Sequence, residues 1–404
     1  MGTDPPPLPL TPRLAAFRRQ FPALRGRIYF NHGAATIAPT SVVEAMCEGA
    51  RLESRFALNG PERRRCVRVR EEARQRAAAL IGAEPDCLAF VASTSVALAT
   101  IALAIPWRKG DNIVTAEVEN PATVVPWQNL AHLGVEVRYL PAGPDDRIDL
   151  DRLPALLDRR TRLVALSLVE YSTGQRLDLR RVSRLCRPRG ILVSADAVQA
   201  VGAIPVDVRE LGVNFLAFAA HKWLLGPKHV GLLYADRAAL ARIRSPIVTE
   251  SSCVDIRAEE EEPTRGPPRL ELMRDAQKLE ARPFHNFPGA FGLRRALRNW
   301  EDNGGERTYA RLRALGDRLC EGLARLDGRV ISPRGDREWS GLISFALNRG
   351  DPKTIQERLR RRGVYVVVRK GRLRFSPHYY NTAEEATRCV RILREEMNTD
   401  ARTA

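Results

Sequence analysis

The chain has 404 residues, 44% hydrophobic and 28% charged, a composition that excludes a disordered or fibrous protein and, at this length, predicts two lobes rather than one core. No apolar run reaches the ~18 residues of a membrane span, and the opening MGTDPPPLPLTPR lacks the basic and apolar regions of a signal peptide, so a cytoplasmic protein with no membrane partner is expected. The net charge of +17 raises a nucleic-acid partner, but the arginines of RRRCVRVREEARQR (63–76) fall on a helical pattern without interleaved aromatics, and none is expected.

In chain order, short apolar runs alternate with amphipathic stretches. LAFVAS (88–93) reads as a strand and 94–105 as a helix; NIVTAE (112–117) and 121–133 repeat the pair, followed by VEVRYL (135–140) and a helix over 150–159. RLVALSLV (162–169), a helix over 178–188, ILVSADA (191–197), NFLAFA (214–219) and GLLYA (231–235) complete a large α/β lobe with a seven-stranded, mostly parallel sheet. The acidic and then proline-rich RAEEEEPTRGPPR (257–269) reads as an exposed linker. Beyond it, helices near 291–300 and 306–326, the strands GLISFAL, VYVVVR and LRFSP, and a closing helix TAEEATRCVRILREEM predict a smaller α+β lobe. The expected division is a large cofactor-binding domain over 27–265 and a small domain over 266–404 that also takes 1–26.

Seven scattered cysteines (Cys47, Cys66, Cys87, Cys186, Cys253, Cys320, Cys389), odd in number and without a C-x-x-C pair, indicate neither a disulfide framework nor a zinc site, and no metal is expected. Cys253 has nothing nearby in sequence to activate it. No G-x-G-x-x-G follows the first strands, and neither G-x-x-x-x-G-K-[ST] nor H-E-x-x-H occurs, so dinucleotide, nucleotide and zinc-protease chemistry lack their carriers. What remains is a set of polar residues at strand ends, where open α/β sheets bind ligands. Ser93, Thr94 and Ser95 open a helix after LAFVA, Asp196 ends ILVSA, Gln199 follows it, and His221-Lys222 interrupt two apolar runs. Read singly, each has an ordinary explanation: Asp196 as a helix cap, Ser93 and Thr94 as N-cap residues, Lys222 as a surface turn. Together they fit pyridoxal phosphate. A lysine shielded from water condenses with an aldehyde, a carboxylate keeps a pyridine nitrogen protonated, and hydroxyls at a helix N-terminus suit a phosphate.

At these residues the sequence resembles the class V aminotransferase family, the fold-type-I pyridoxal-phosphate transferase group that includes cysteine desulfurases, isopenicillin N epimerase and kynureninase. The blocks are IYFNHGAATIAPTSV (28–42), FVASTSVALATIAL (90–103), VENPATVVPWQ (118–128), YSTGQRLDL (171–179), DAVQAVGAIPVDVRELGVNFLAFAAHKWLLGP (196–227) and RLRFSPHYYNTAEEA (372–386). The resemblance implies a Schiff base at Lys222, a pyridinium partner at Asp196, a phenolate partner at Gln199, phosphate contacts from Thr94 and His221, and a clamp on the substrate carboxylate at Arg374. With Ser93, Ser95 and Asn120 these make up the expected cofactor site. A fork-shaped guanidinium suits a carboxylate on its own chemical grounds. His32, in NHGAAT, reads either as a substrate contact or as a histidine bonded to backbone, and His378 as structural. A homodimer with the site near its interface, and a small amino-acid substrate, are likewise implied.

Four features depart from the pattern. Glu119-Asn120-Pro121-Ala122 stands where desulfurases carry E-H-x-A, and Asn120 neither stacks as an imidazole nor titrates near neutrality. Ala219 replaces a frequent serine, and KLEARPFHNFPG (278–289) lacks a Gly-Thr, which leaves Arg282 or His285 as candidate phosphate contacts. YVVVRKGRLRFSP (365–377) contains no cysteine, so persulfide relay chemistry is not expected. Transamination is the leading expectation. A C–S β-lyase, an epimerase, a decarboxylating or oxidative enzyme, and a non-catalytic family member remain open.

Overall fold

A computed structural model of the chain describes residues 8–55, 60–249, 252–254, 271–280 and 286–400. The segment 257–269, Arg282 and His285 lie outside the described residues. Strand β1 (Ile28–Tyr29) precedes the large sheet, which is built from β2 (Leu88–Val91), β3 (Asn112–Ala116), β4 (Glu136–Leu140), β5 (Thr161–Ser167), β6 (Leu192–Asp196), β7 (Phe215–Ala219) and β8 (Gly231–Ala235). Its order is β2-β8-β7-β6-β5-β3-β4, and every pair is parallel except those of β8, which runs antiparallel to both β2 and β7.

The apolar runs are continuous because both faces of this sheet are covered. Alternate residues divide between two cores: Val114, Leu166, Val193, Leu216 and Phe218 on one face, Ile113, Leu163, Leu192, Phe215 and Ala217 on the other. Only edge strand β4 is half-exposed. Helix Thr94–Ala104 starts where Ser93 Oγ accepts the Val96 N–H at 3.1 Å, and helix Pro121–Gln128 where Asn120 Oδ1 accepts the Ala122 N–H at 3.0 Å.

The small sheet uses β9 (Gly328–Val330), β10 (Ile343–Leu347), β12 (Val367–Arg369) and β13 (Arg372–Phe375) in the antiparallel order β12-β13-β10-β9. Helices Arg307–Leu323, Pro352–Arg361 and Ala383–Asp400 pack against it and one another. The expected strand over 364–369 divides in two, because β11 (Val364–Tyr365) leaves to pair in parallel with β1. The expected helix over 150–159 shrinks to a 3₁₀ turn (Leu150–Arg152) and a short helix (Leu153–Leu156); Asp158 instead accepts the side-chain amide of Asn112 at 2.9 Å and fixes the entry to β5.

The two sheets are tied together directly. Arg329 on β9 holds Asp145 through two bonds of 2.7 and 2.8 Å, and Ser340 donates to the Gly174 carbonyl at 2.6 Å. Gly174 has φ 75°, and a Cβ there would meet the Leu342 carbonyl oxygen at 2.8 Å, so the contact needs glycine.

Candidate active site

The sheet order brings the carboxyl ends of β3, β5, β6 and β7 to one edge, and the loops leaving them line a cleft of about 170 Å³. Ser93, Thr94, Ser95, Asn120, Asp196, Gln199, His221 and Lys222 all border it, joined by Ser167 and Tyr171. His32 does not reach it. That imidazole is fully buried, with Nδ1 2.8 Å from the Ser376 carbonyl and Nε2 2.7 Å from the Tyr380 hydroxyl, so both ring nitrogens are engaged in holding the chain entry to the small lobe. His378 is equally buried, its Nε2 3.0 Å from the Trp223 carbonyl.

Lys222 sits in the loop between antiparallel strands β7 and β8. The loop closes through Ala220 N–H to Val230 O and Gly226 N–H to Ala220 O, both 2.9 Å. A Cβ on Gly226 would meet Ala220 Cβ at 2.8 Å, and Leu225 takes the left-handed φ of 56° that this tight return demands. Burial pulls the Lys222 pKa down to about 8; the Asp196 charge opposes the fall, while those of Arg374 and Arg369 reinforce it.

Asp196 is buried at the end of β6. Its carboxylate accepts the Val198 N–H at 2.9 Å and the Thr123 hydroxyl at 3.0 Å, yet burial still raises its pKa. The neighbouring Lys222 charge opposes that rise without overcoming it, and no ion pair to Asp196 forms among the described residues. Glu119, equally buried, accepts the N–H and hydroxyl of Ser167, and burial pushes its pKa up to about 8.

At the opposite wall, the N-terminus of helix Thr94–Ala104 presents the Thr94 hydroxyl, which is buried and without a partner among the described residues. Burial and the neighbouring Lys222 charge hold His221 down to about 4, leaving a neutral imidazole with one N–H to donate. Gln199 bridges the walls, donating to the Gly33 carbonyl at 2.7 Å and accepting from Trp223 Nε1 at 3.0 Å.

Arg374, on β13, is 1% exposed and donates to the Tyr171 carbonyl, while its Nε and Nη2 have no partner among the described residues. Burial first, then the Arg369 charge, lowers its pKa. A buried guanidinium with two unbonded nitrogens has the fork geometry to clamp a planar anion.

Sequence reasoning assigned nothing to Thr123, Ser167 or Tyr171. For Ser167 and Tyr171 the signal was positional, at and just beyond the carboxyl end of β5, the neighbour of β6; Thr123 lies in the helix Pro121–Gln128, where no strand-end signal marks it.

These orphaned groups fit pyridoxal phosphate. The Thr94 hydroxyl at a helix N-terminus matches a phosphate, Asp196 is a buried carboxyl that a protonated pyridine would pair with, and Lys222 is a half-buried amine of lowered pKa. Sheet order and cleft together define a fold-type-I pyridoxal-phosphate enzyme. The sequence pattern of the Aminotransferase class-V family matches residues 28–392, and the chain belongs to that family, whose cofactor is pyridoxal phosphate.

Among its relatives, a probable cysteine desulfurase of Methanothermobacter thermautotrophicus is 28% identical over 91% of this chain and 94% of its own length. Probable cysteine desulfurase 2 of Mycobacterium leprae is 32% identical over 84% of this chain and 83% of its own length. The solved apo structure of a cysteine desulfurase from Thermococcus onnurineus superposes with a TM-score of 0.84 at 25% identity, over 94% of this chain and 97% of the other.

Proposed function

We propose that the protein cleaves a carbon–sulfur bond at Cβ of a small amino-acid thioether, by β-elimination with pyridoxal phosphate held at Lys222. The observation that carries this reading is the pairing of an amine of lowered pKa in the cleft, Lys222, with a buried guanidinium, Arg374, that is bonded to Tyr171 on the cleft wall and has two unbonded nitrogens among the described residues, while none of the seven cysteines borders that cleft. Relatives named as cysteine desulfurases support carbon–sulfur chemistry over the transamination expected from the sequence. The missing thiol distinguishes this chain from an enzyme that keeps the sulfur on itself.

When bound, pyridoxal phosphate supplies an electron sink for the charge developing at Cα. The residues supply the rest. Thr94, Ser95 and His221 would hold the phosphate, Asp196, with Thr123 fixing one of its oxygens, would pair with the pyridine nitrogen, and Gln199 would bond the phenolic oxygen. Arg374 holds the substrate carboxylate and thereby sets which Cα substituent faces Lys222. The Lys222 amine takes the Cα proton and returns a proton to the departing sulfur. The sulfur leaves with the electron pair of its bond as a thiol. The 2-aminoprop-2-enoate that remains takes up water to give pyruvate and ammonium, with no net redox change.

The test is to supply the holoenzyme with cysteine thioethers and follow thiol, pyruvate and ammonium. Equimolar products, with turnover within a few-fold of wild type in each of the seven Cys→Ser variants, are expected. Amino-group transfer to an added keto acid without thiol release would establish transamination instead, and a persulfide on one particular cysteine would establish a desulfurase.

A further inference from the structure

The hairpin Arg369-Lys370-Gly371-Arg372, between β12 and β13, carries three cations, and its Lys370 approaches Tyr171 on the wall of the cleft. Register pairs Val367 with Arg374 and Arg369 with Arg372. Directly paired residues in an antiparallel ladder point to the same sheet face, so Arg369, Arg372 and Arg374 share the face from which Arg374 reaches Tyr171. Two of the three have an occupation: Arg372 pairs with Asp146 at 2.8 Å, and Arg374 is offered to the substrate carboxylate. Arg369 does not. Its Nη1 donates at 2.9 Å to the carbonyl of its own neighbour Val368, and among the described residues no carboxylate pairs with it.

Lys370 fixes the tip of the hairpin. It takes φ 45°, and its Nζ lies 3.4 Å from the Val118 carbonyl and 6.0 Å from the centre of the Tyr171 ring, so the turn rests on the wall of the cleft. From there the Arg369 charge lowers the pKa of both Lys222 and Arg374. The nearby acids are already committed: Glu170 accepts from Ser172 and Thr173, Glu119 from Ser167, Asp196 from Val198 and Thr123. With the phosphate end of the site at helix Thr94–Ala104, the small-lobe rim carries one cation more than an α-carboxylate neutralises.

We propose that Arg369 receives a second anionic group, a carboxylate on the substrate's side chain, so that the natural substrate is an amino acid with an acidic tail. Under the carbon–sulfur reading on which it builds, that substrate is a cysteine thioether whose sulfur substituent carries the carboxylate.

Two pairs of ligands test this on the holoenzyme. S-carboxymethylcysteine and S-ethylcysteine are compared by kcat/KM. Their sulfur-free isosteres, 2-aminoadipate and norleucine, are compared by titration calorimetry, which needs no bond cleavage. The acidic member of each pair is expected to win by on the order of 10- to 100-fold, the span of one charge-assisted bond. Arg369→Gln should erase that preference while leaving S-ethylcysteine turnover and norleucine binding within a few-fold; Arg369→Lys should restore part of it. Equal handling of acidic and neutral members by wild type overturns the proposal. So does an Arg369→Gln variant that loses both members equally, because Arg369 then shares the α-carboxylate. If 2-aminoadipate binds through Arg369 but neither thioether is cleaved, the acidic pocket stands and the carbon–sulfur reading falls.

Discussion

Arg374 is a buried cation and Lys222 a half-buried one, and neither has an ion-pair partner among the described residues, an arrangement suited to an anionic ligand. Because burial lowers the Lys222 pKa to about 8, its amine is free above that value and protonated below it. Capture of pyridoxal phosphate by the apoenzyme should therefore fall about tenfold per pH unit below that point and level off above it, whereas an exposed lysine would level off only near 10.4. Stopped-flow absorbance across neutral to alkaline pH measures this. Lys222→Ala should lose the lysine-bound cofactor absorbance and about 10²–10⁴-fold in turnover. Arg374→Ala should leave that absorbance unchanged and lower kcat/KM by roughly 30-fold to several thousand-fold, and Arg374→Lys should recover little, since a point charge does not reproduce a fork. Steady-state kinetics on a cleaved thioether decides it.

Individual elements are set by contacts that cross the chain. Arg74, on helix Pro61–Leu80, and Glu280 are 2% and 1% exposed on their side chains and meet at 2.7 Å; Glu280 also accepts the Phe90 N–H at 3.0 Å on β2. This pair pins the segment after Ala276–Leu279 beneath the strand that leads into Thr94. Glu280→Ala removes one of the two carboxylates on Arg74, whose Nε keeps Glu71 at 2.9 Å, and takes away the acceptor of the Phe90 N–H; it should cost about 1–3 kcal/mol, read as a lowered urea midpoint, and the double change Arg74→Met with Glu280→Leu should recover part of it. The seven strands of the large sheet were legible from apolar runs, because a sheet covered on both faces needs them unbroken. Helices Pro12–Arg18 and Thr40–Glu53 were not picked out. The first is short, and the second buries only Val42, Ala45 and Gly49, too thin an apolar stripe to stand out.

For the whole molecule we propose a homodimer whose interface covers the apolar side chains that the single chain leaves exposed beside the cleft, Val96, Leu103 and Val125. Val96 and Leu103 lie on the helix whose N-terminus presents Thr94, so assembly and cofactor binding would be coupled. Sedimentation should show a dimer, and Leu103→Glu, on a residue 58% exposed, should shift it toward monomer and weaken cofactor retention. A wild-type monomer with full activity would refute this. The division at 27–265 and 266–404 with 1–26 also remains our proposal; β1 and Phe30 pack with the small lobe through β11 and its core.

Sequence alone was enough for the sheet and the class of cofactor, because apolar runs and the polar residues that interrupt them at strand ends are a local signal; the roles of Asp196, Gln199, Lys222 and Arg374 are proposals that also draw on the resemblance to the family. Tertiary structure alone decided between the two readings of His32, engaging both its nitrogens with Ser376 and Tyr380, partners 344 and 348 residues away. It alone brought Thr123 to Asp196 across 73 positions and showed Arg369 to have no carboxylate paired with it among the described residues. Whether a polar side chain is satisfied depends on which distant residues folding brings within about 3 Å, and no local pattern carries that distance.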